Sequence, residues 1–312
     1  MPLKKYNLDT IGSEFLHGCI LTLGNFDGVH IGHQTLLKRV KNRSLELSTP
    51  SCVVTYSPNP SLVLGKKQDF RYLTSDEAKE SAISKFGIDF LLTLEFTQAL
   101  SQMSAEDFLK EIIIGKLHAK HIVLGYNHSF GKDRKGDFEL LKAKAKQYSY
   151  EVELYETTNY QGERVSSSLV RSYIERGEVF RASQLLARSY SQSAIVFQGD
   201  ERGRLLGFPT ANLRIEDKFL IPGPGVYSGF ITVRGVRYKC MTNIGTNPTF
   251  GGNLLSMETH IIDFSSNIYG LEVEIEFVHR IRDEKKFDSA DDLIAQLNKD
   301  KISSIHFLQR VE

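Results

Sequence analysis

The residue pattern changes character once along this chain, near Ser183–Ser193, and that change limits the fold more than any other feature. Before it, short apolar runs alternate with helical patterns. Strands are predicted at Cys19–Leu23, Ser51–Tyr56, Phe90–Leu94, His121–Leu124 and Glu151–Tyr155, and helices at Ile31–Leu47, Asp76–Phe86, Ala105–Leu117 and Phe138–Tyr148. Such alternation predicts a parallel sheet with helices on both faces. After it come short alternating runs at Ala194–Gln198, Gly225–Val233, Val236–Asn243, Met257–Phe264 and Glu272–Phe277, punctuated by Gly and Pro. That spacing predicts a closed antiparallel barrel. A helix over Ala290–Asn298 closes the chain. With 312 residues, two domains are expected, 1–184 and 185–312.

Charge excludes several classes of partner. The 39 Lys and Arg against 38 Asp and Glu leave a net charge of +1, so neither nucleic acid nor a membrane surface is expected as a partner. No apolar run approaches the ~20 residues of a membrane span. Cys19, Cys52 and Cys240 form no CxxC pair and read as buried thiols in a reducing compartment, placing the protein in the cytoplasm. Lys142, Lys144 and Lys146 read as a solvated helix face.

Two dense strings carry chemistry. The first, Gly24-Asn25-Phe26-Asp27-Gly28-Val29-His30-Ile31-Gly32-His33, follows a strand and opens a helix. Backbone amides at such a turn, together with the helix N-terminus, favour phosphate. His30 and His33, three apart, face one ligand. The form is the HxGH signature of nucleotidylyl transferases. Arg164-Val165-Ser166-Ser167-Ser168-Leu169-Val170-Arg171 adds hydroxyls and a guanidinium, with Ser167, Ser168 and Arg171 as phosphate contacts.

The second string is Gly203-Arg204-Leu205-Leu206-Gly207-Phe208-Pro209-Thr210-Ala211-Asn212. Its glycines suit close approach to phosphates, and Thr210 and Asn212 offer hard oxygen ligands for Mg²⁺. Glu258, in an alternating strand, offers a carboxylate to accept a proton. Read alone, Glu258 is more often an ordinary solvated strand residue, and His260 a structural histidine.

In this order the motifs resemble the bacterial bifunctional riboflavin kinase/FMN adenylyltransferase family. The resemblance runs from GNFDGVHIGH through RVSSSLVR, GRLLGFPTANL and IPGPGVYSG to NIGTNPTFGG, METHIIDF and the IYG…IRDEKKF tail. It implies a Rossmann-like nucleotidylyltransferase domain followed by a six-stranded antiparallel riboflavin-kinase barrel with a terminal helix. It also implies riboflavin, FMN and ATP as substrates, and Mg²⁺ with the ATP. Glu258, His30 and His33 would be catalytic. Gly24, Asn25, Phe26, Asp27, Gly28, Ser167, Ser168 and Arg171 would hold the transferase nucleotide. Asn59 and Asn127 would line its flavin or nucleotide pocket, facing flavin or nucleotide. Gly203, Arg204, Gly207, Thr210 and Asn212 would hold the kinase nucleotide, and Arg282 and Glu284 the kinase flavin. Asn127 stands where the family often has an aspartate, exchanging an ionised acceptor for an amide. Two alternatives are a kinase with a weak or redox-dependent transferase half, and a flavin-sensing regulator without catalysis.

Overall fold

The computed structural model describes residues 2–65, 69–126, 128–199, 203, 206–246 and 255–311. It divides into two compact units, Met1–Ser167 and Ser168–Glu312.

The first unit is built on six strands: β1 Lys4–Tyr6, β2 Cys19–Leu23, β3 Ser51–Ser57, β4 Phe90–Glu95, β5 Ala119–Gly125 and β6 Glu151–Tyr155. Their order is β1-β4-β3-β2-β5-β6, and all neighbours are parallel. Helices α1 Ile31–Glu46, α2 Pro60–Val63, α3 Asp76–Ser84, α4 Gln98–Gln102, α5 Ala105–Asp107 and α6 Phe138–Tyr148 connect them. Every residue of β2 is buried, as a parallel sheet covered on both faces requires. Alternate residues feed two cores: Leu21, Cys52 and Leu92 enter one, and Ile20, Val53 and Leu91 the other. From β2 the chain winds one way and from β5 the other, so the crevice at their carboxyl ends is the topological switch point, where ligands bind in such sheets.

The helix expected over Ala105–Leu117 takes a different form. After α5 it continues as a π-helix over Phe108–Ile114. Gly115 N–H donates to Lys110 O at 2.9 Å and Leu117 N–H to Ile112 O at 3.0 Å, both five residues back. Phe108, Leu109, Ile112 and Ile113 of this segment are buried in the core.

A short hairpin, β7 Asn159–Tyr160 and β8 Glu163–Arg164, precedes α7 Ser167–Glu175 and α8 Val179–Leu186. The barrel strands follow: β9 Tyr190–Phe197, β10 Ala211–Arg214, β11 Gly225–Val233, β12 Val236–Thr246, β13 Leu255–Ile261 and β14 Glu272–Arg282. The barrel closes in the order β10-β13-β12-β11-β14-β9, antiparallel throughout. Alternating runs account for five of these strands. The sixth, β10, lies inside the glycine-rich string, where its motif hides its strand pattern. Two core hydroxyls satisfy one another across the ladder, Thr242 and Thr259 meeting at 2.9 Å.

The final helix, α9, spans Ala290–Leu308, ten residues beyond the expected end at Asn298. Its second half buries Asp300, Ser304 and Leu308, a four-residue repeat that is mostly polar and so escapes a search for apolar periodicity. Its first half lays Ile294 and Leu297 on Phe208, Met241 and Ile262 of the barrel.

Candidate active sites

The Gly24–His33 turn rises from β2 at the switch point. Gly24 N–H donates to Val54 O at 3.0 Å, which fixes where the turn begins. Phe26, Gly28 and Val29 then take φ of 50°, 83° and 39°. Phe26 and Val29 are wholly buried, and that packing holds the left-handed backbone in place. Asp27 is buried too, and its Oδ1 accepts from Leu73 N–H at 3.0 Å and Thr74 N–H at 3.3 Å. The carboxylate therefore braces the turn. Asn25 stays exposed. Ser167 Oγ–H donates to Asp27 O at 2.9 Å, which brings the start of the serine string to this loop. Ser168 and Arg171 continue along α7.

His30 caps α1, its Nδ1 accepting from His33 N–H at 3.3 Å. Accepting there leaves its proton on Nε2. The two imidazoles stack with centroids 3.7 Å apart and planes 14° from parallel. A Cβ at Gly32 would come within 3.3 Å of the His30 ring, so glycine keeps that position open. Burial pushes His33 well below 6.5, and the fields of His30 and His128 push it the same way. At rest it is neutral. Asn59 caps α2 by accepting from Ser61 N–H at 2.9 Å, a structural use of the side chain expected to face flavin or nucleotide. Asn127 and Arg204 lie outside the described residues.

In the barrel, strand register assembles the second site. Asn212 on β10 pairs with Glu258 on β13, Glu258 with Asn243 on β12, Asn243 with Val226 on β11, and Val226 with Arg282 on β14. One cross-strand row thus carries Asn212, Glu258, Asn243 and Arg282. Glu258, Asn243 and Arg282 of this row line a cavity of about 280 Å³, together with Thr210 and Glu284, and Asn212 stands beside Glu258 at the end of the row. Leu293 and Leu297 of α9 form its apolar wall.

The glycine-rich string is fitted closely against this row. A Cβ at Gly203 would meet Phe208 O, a backbone atom that cannot swing away. Asn212 lies against Gly199, and the Glu284 carboxylate against Gly245. Gly207 takes φ 78°. His260 donates Nδ1–H to Pro209 O at 2.9 Å, holding the Phe208–Thr210 segment in place, and desolvation lowers its pKa. That bond gives it the structural use the sequence suggests, and its ring also lines the cavity. Thr210 also borders a second cavity, lined by Thr259, Phe264, Ser265 and Tyr269.

Comparison with known proteins follows this two-part division. The FAD synthetase family profile matches residues 12–169, and the riboflavin kinase profile matches residues 186–308. A bifunctional riboflavin kinase/FMN adenylyltransferase of Listeria monocytogenes is 37% identical over 94% of this chain and 93% of its own. The protein of that name from Haemophilus influenzae is 35% identical over 92% and 94%. The chain belongs to the bifunctional riboflavin kinase/FMN adenylyltransferase family. A Streptococcus pneumoniae structure described as a macrolide-efflux protein is 30% identical, with a TM-score of 0.86 over 97% of this chain and 99% of that one. Among the described residues of this family member, no helix is long and apolar enough to cross a membrane.

Residue-level reading of the family motifs misses three side chains that the fold brings to these sites. Asn243 joins Glu258 only through strand register. Asp300, 1% exposed on α9, accepts from Arg282 Nε at 2.9 Å and Nη2 at 2.8 Å and holds that guanidinium at the cavity. His128 reaches the switch point because β5 lies beside β2. The string Asn243–Phe250 was itself visible, but nothing in it says which residue faces a carboxylate 15 positions later.

Proposed function

We propose that the barrel half, residues 185–312, carries the riboflavin kinase, and that the sheet half, 1–184, carries the FMN adenylyltransferase. The kinase joins the 5′-hydroxyl of riboflavin to the γ-phosphate of ATP, yielding FMN and ADP. The transferase joins the FMN phosphate to the α-phosphate of a second ATP, yielding FAD and pyrophosphate. The cross-strand row that sets Glu258 between Asn212 and Asn243 carries this reading, because it turns an ordinary strand glutamate into a carboxylate walled by polar groups in a cavity.

Glu258 takes the proton of the attacking hydroxyl. Thr210 Oγ1 and Asn212 Oδ1, two residues apart at the start of β10, are hard oxygen donors of the kind that suits a Mg²⁺ bound to ATP phosphates. When bound, the metal neutralises phosphate charge. Gly203 and Gly207 keep the string close enough for backbone amides to face phosphate, with Arg204 in the same string. Arg282, steadied by Asp300, and Glu284 face the flavin.

In the transferase, the FMN phosphate is already largely anionic, since phosphate monoesters lose their second proton near pH ~6. No base is needed, and catalysis reduces to positioning and charge stabilisation. His30 offers Nε2–H to phosphate oxygens, and His33 adds a second imidazole beside it. Gly24, Asn25, Phe26 and Gly28 shape the amide-lined turn at the head of α1, with Asp27 bracing it. Ser167, Ser168 and Arg171 extend the phosphate contacts, and Asn127 the flavin contacts. The three cysteines are free and buried, in keeping with a cytoplasmic protein. The test is a chromatographic assay of the purified protein with Mg·ATP and either flavin. Riboflavin converted to neither FMN nor FAD would overturn it.

A further inference from the structure

The transferase crevice holds an imidazole that the steps above leave unused. His128 follows β5, and its backbone N–H donates to Gly125 O at 2.8 Å, which turns the chain back toward the switch point. Its Nε2 is buried and has no hydrogen-bond partner among the described residues, and the same holds for Nδ1 of His33. Leaving a polar nitrogen buried and unmet costs about 1–3 kcal/mol. Two such nitrogens on neighbouring sides of one crevice are the mark of a site that a ligand completes. His33 feels the charge of both His30 and His128, so the three rings share one electrostatic environment.

His128 also lines a cavity of about 470 Å³ whose walls include Asn25, Tyr56, Phe96, Phe108 and Phe130. Aromatic walls suit a planar ring system. Asn25 belongs to the HxGH turn, so this cavity borders that turn at one side and aromatic side chains at the other. His30 and His33 sit on α1, at the amide-rich turn suited to the nucleotide. His128 sits in the loop that follows β5, in the wall of the aromatic cavity.

We propose that His128 binds the 5′-phosphate of the acceptor flavin through Nε2–H and so selects FMN over riboflavin at the transferase. In the transfer, an oxygen of that phosphate forms the new bond to the α-phosphorus while the bond to pyrophosphate breaks, and pyrophosphate carries away the electron pair. His128 gains and loses no proton in this step. It fixes the attacking phosphate opposite the leaving group. The inference rests on the adenylyltransferase reading above.

The test is steady-state FAD formation from FMN by the full chain, comparing wild type, His128→Phe and His128→Gln. A lost hydrogen bond to a charged oxygen corresponds to about a 10- to 100-fold rise in the KM for FMN for His128→Phe. The KM for ATP should stay within about twofold, while His128→Gln, which keeps an N–H donor, recovers most of the FMN affinity. An FMN KM near the wild-type value in His128→Phe would overturn the proposal. So would a matching rise in the ATP KM, or no recovery in a folded His128→Gln. A wild-type protein that makes FMN but no FAD would instead fail the underlying transferase reading.

Discussion

Glu258 and His33 show how much a residue's chemistry depends on neighbours that are distant in sequence. Glu258 stands in a strand like many solvated glutamates, and only the pairing with Asn212 and Asn243 marks it out. Glu258→Gln should lower FMN formation about 10²–10⁴-fold, the usual contribution of a general base, with the far-ultraviolet circular dichroism unchanged. His30 and His33 were legible in the sequence because a three-residue spacing on one helix needs no tertiary knowledge. His128 was not, since its meaning comes from β5 lying beside β2. Burial lowers His128 to about 4, with Arg134 acting in the same direction, and lowers His33 well below 6.5. Both histidines therefore hold their stabilising, neutral form above pH ~6.5 and oppose folding as pH falls toward their native values. Each steepens acid destabilisation by up to about 1.4 kcal/mol per pH unit in that window. Urea titrations at pH 7 and pH 5 should show His128→Gln losing less stability on acidification than wild type.

Most of the long elements were legible from periodicity, and the exceptions have separate causes. The helix Phe138–Tyr148 and the strand Gly225–Val233 keep their expected bounds because their patterns are uninterrupted. The far half of α9 faces the protein with Asp300 and Ser304, and β10 sits inside a glycine-rich motif, so function masks the pattern in both. In the π-helical segment, Phe108, Leu109, Ile112 and Ile113 keep the spacing of an ordinary helix face, so the five-residue hydrogen bonding leaves no mark in the apolar pattern. The Asp300–Arg282 pair joins α9 to β14, with side chains 2% and 19% exposed. Removing one partner of such a pair strands the other. Asp300→Ala should cost about 3–5 kcal/mol in denaturant unfolding and raise the KM for riboflavin. Ser289 caps α9 by accepting from Asp292 N–H at 3.1 Å, so Ser289→Ala should cost only about 1 kcal/mol in the same experiment.

For the molecule as a whole, two chemistries are divided between a parallel sheet and a closed barrel, and the residue pattern changes between the two. What the pattern could not supply was the assembly of each site, which depends on sheet order in one half and on barrel register in the other. The account requires the two reactions to be separable by mutation. His30→Ala should abolish FAD formation from FMN while FMN still forms from riboflavin, as read by product chromatography. The most direct test of the central claim is a time course of the wild-type protein with Mg·ATP, started separately from riboflavin and from FMN. The account predicts FMN appearing before FAD in the first reaction and FAD without delay in the second. Riboflavin and FMN both unchanged would contradict it.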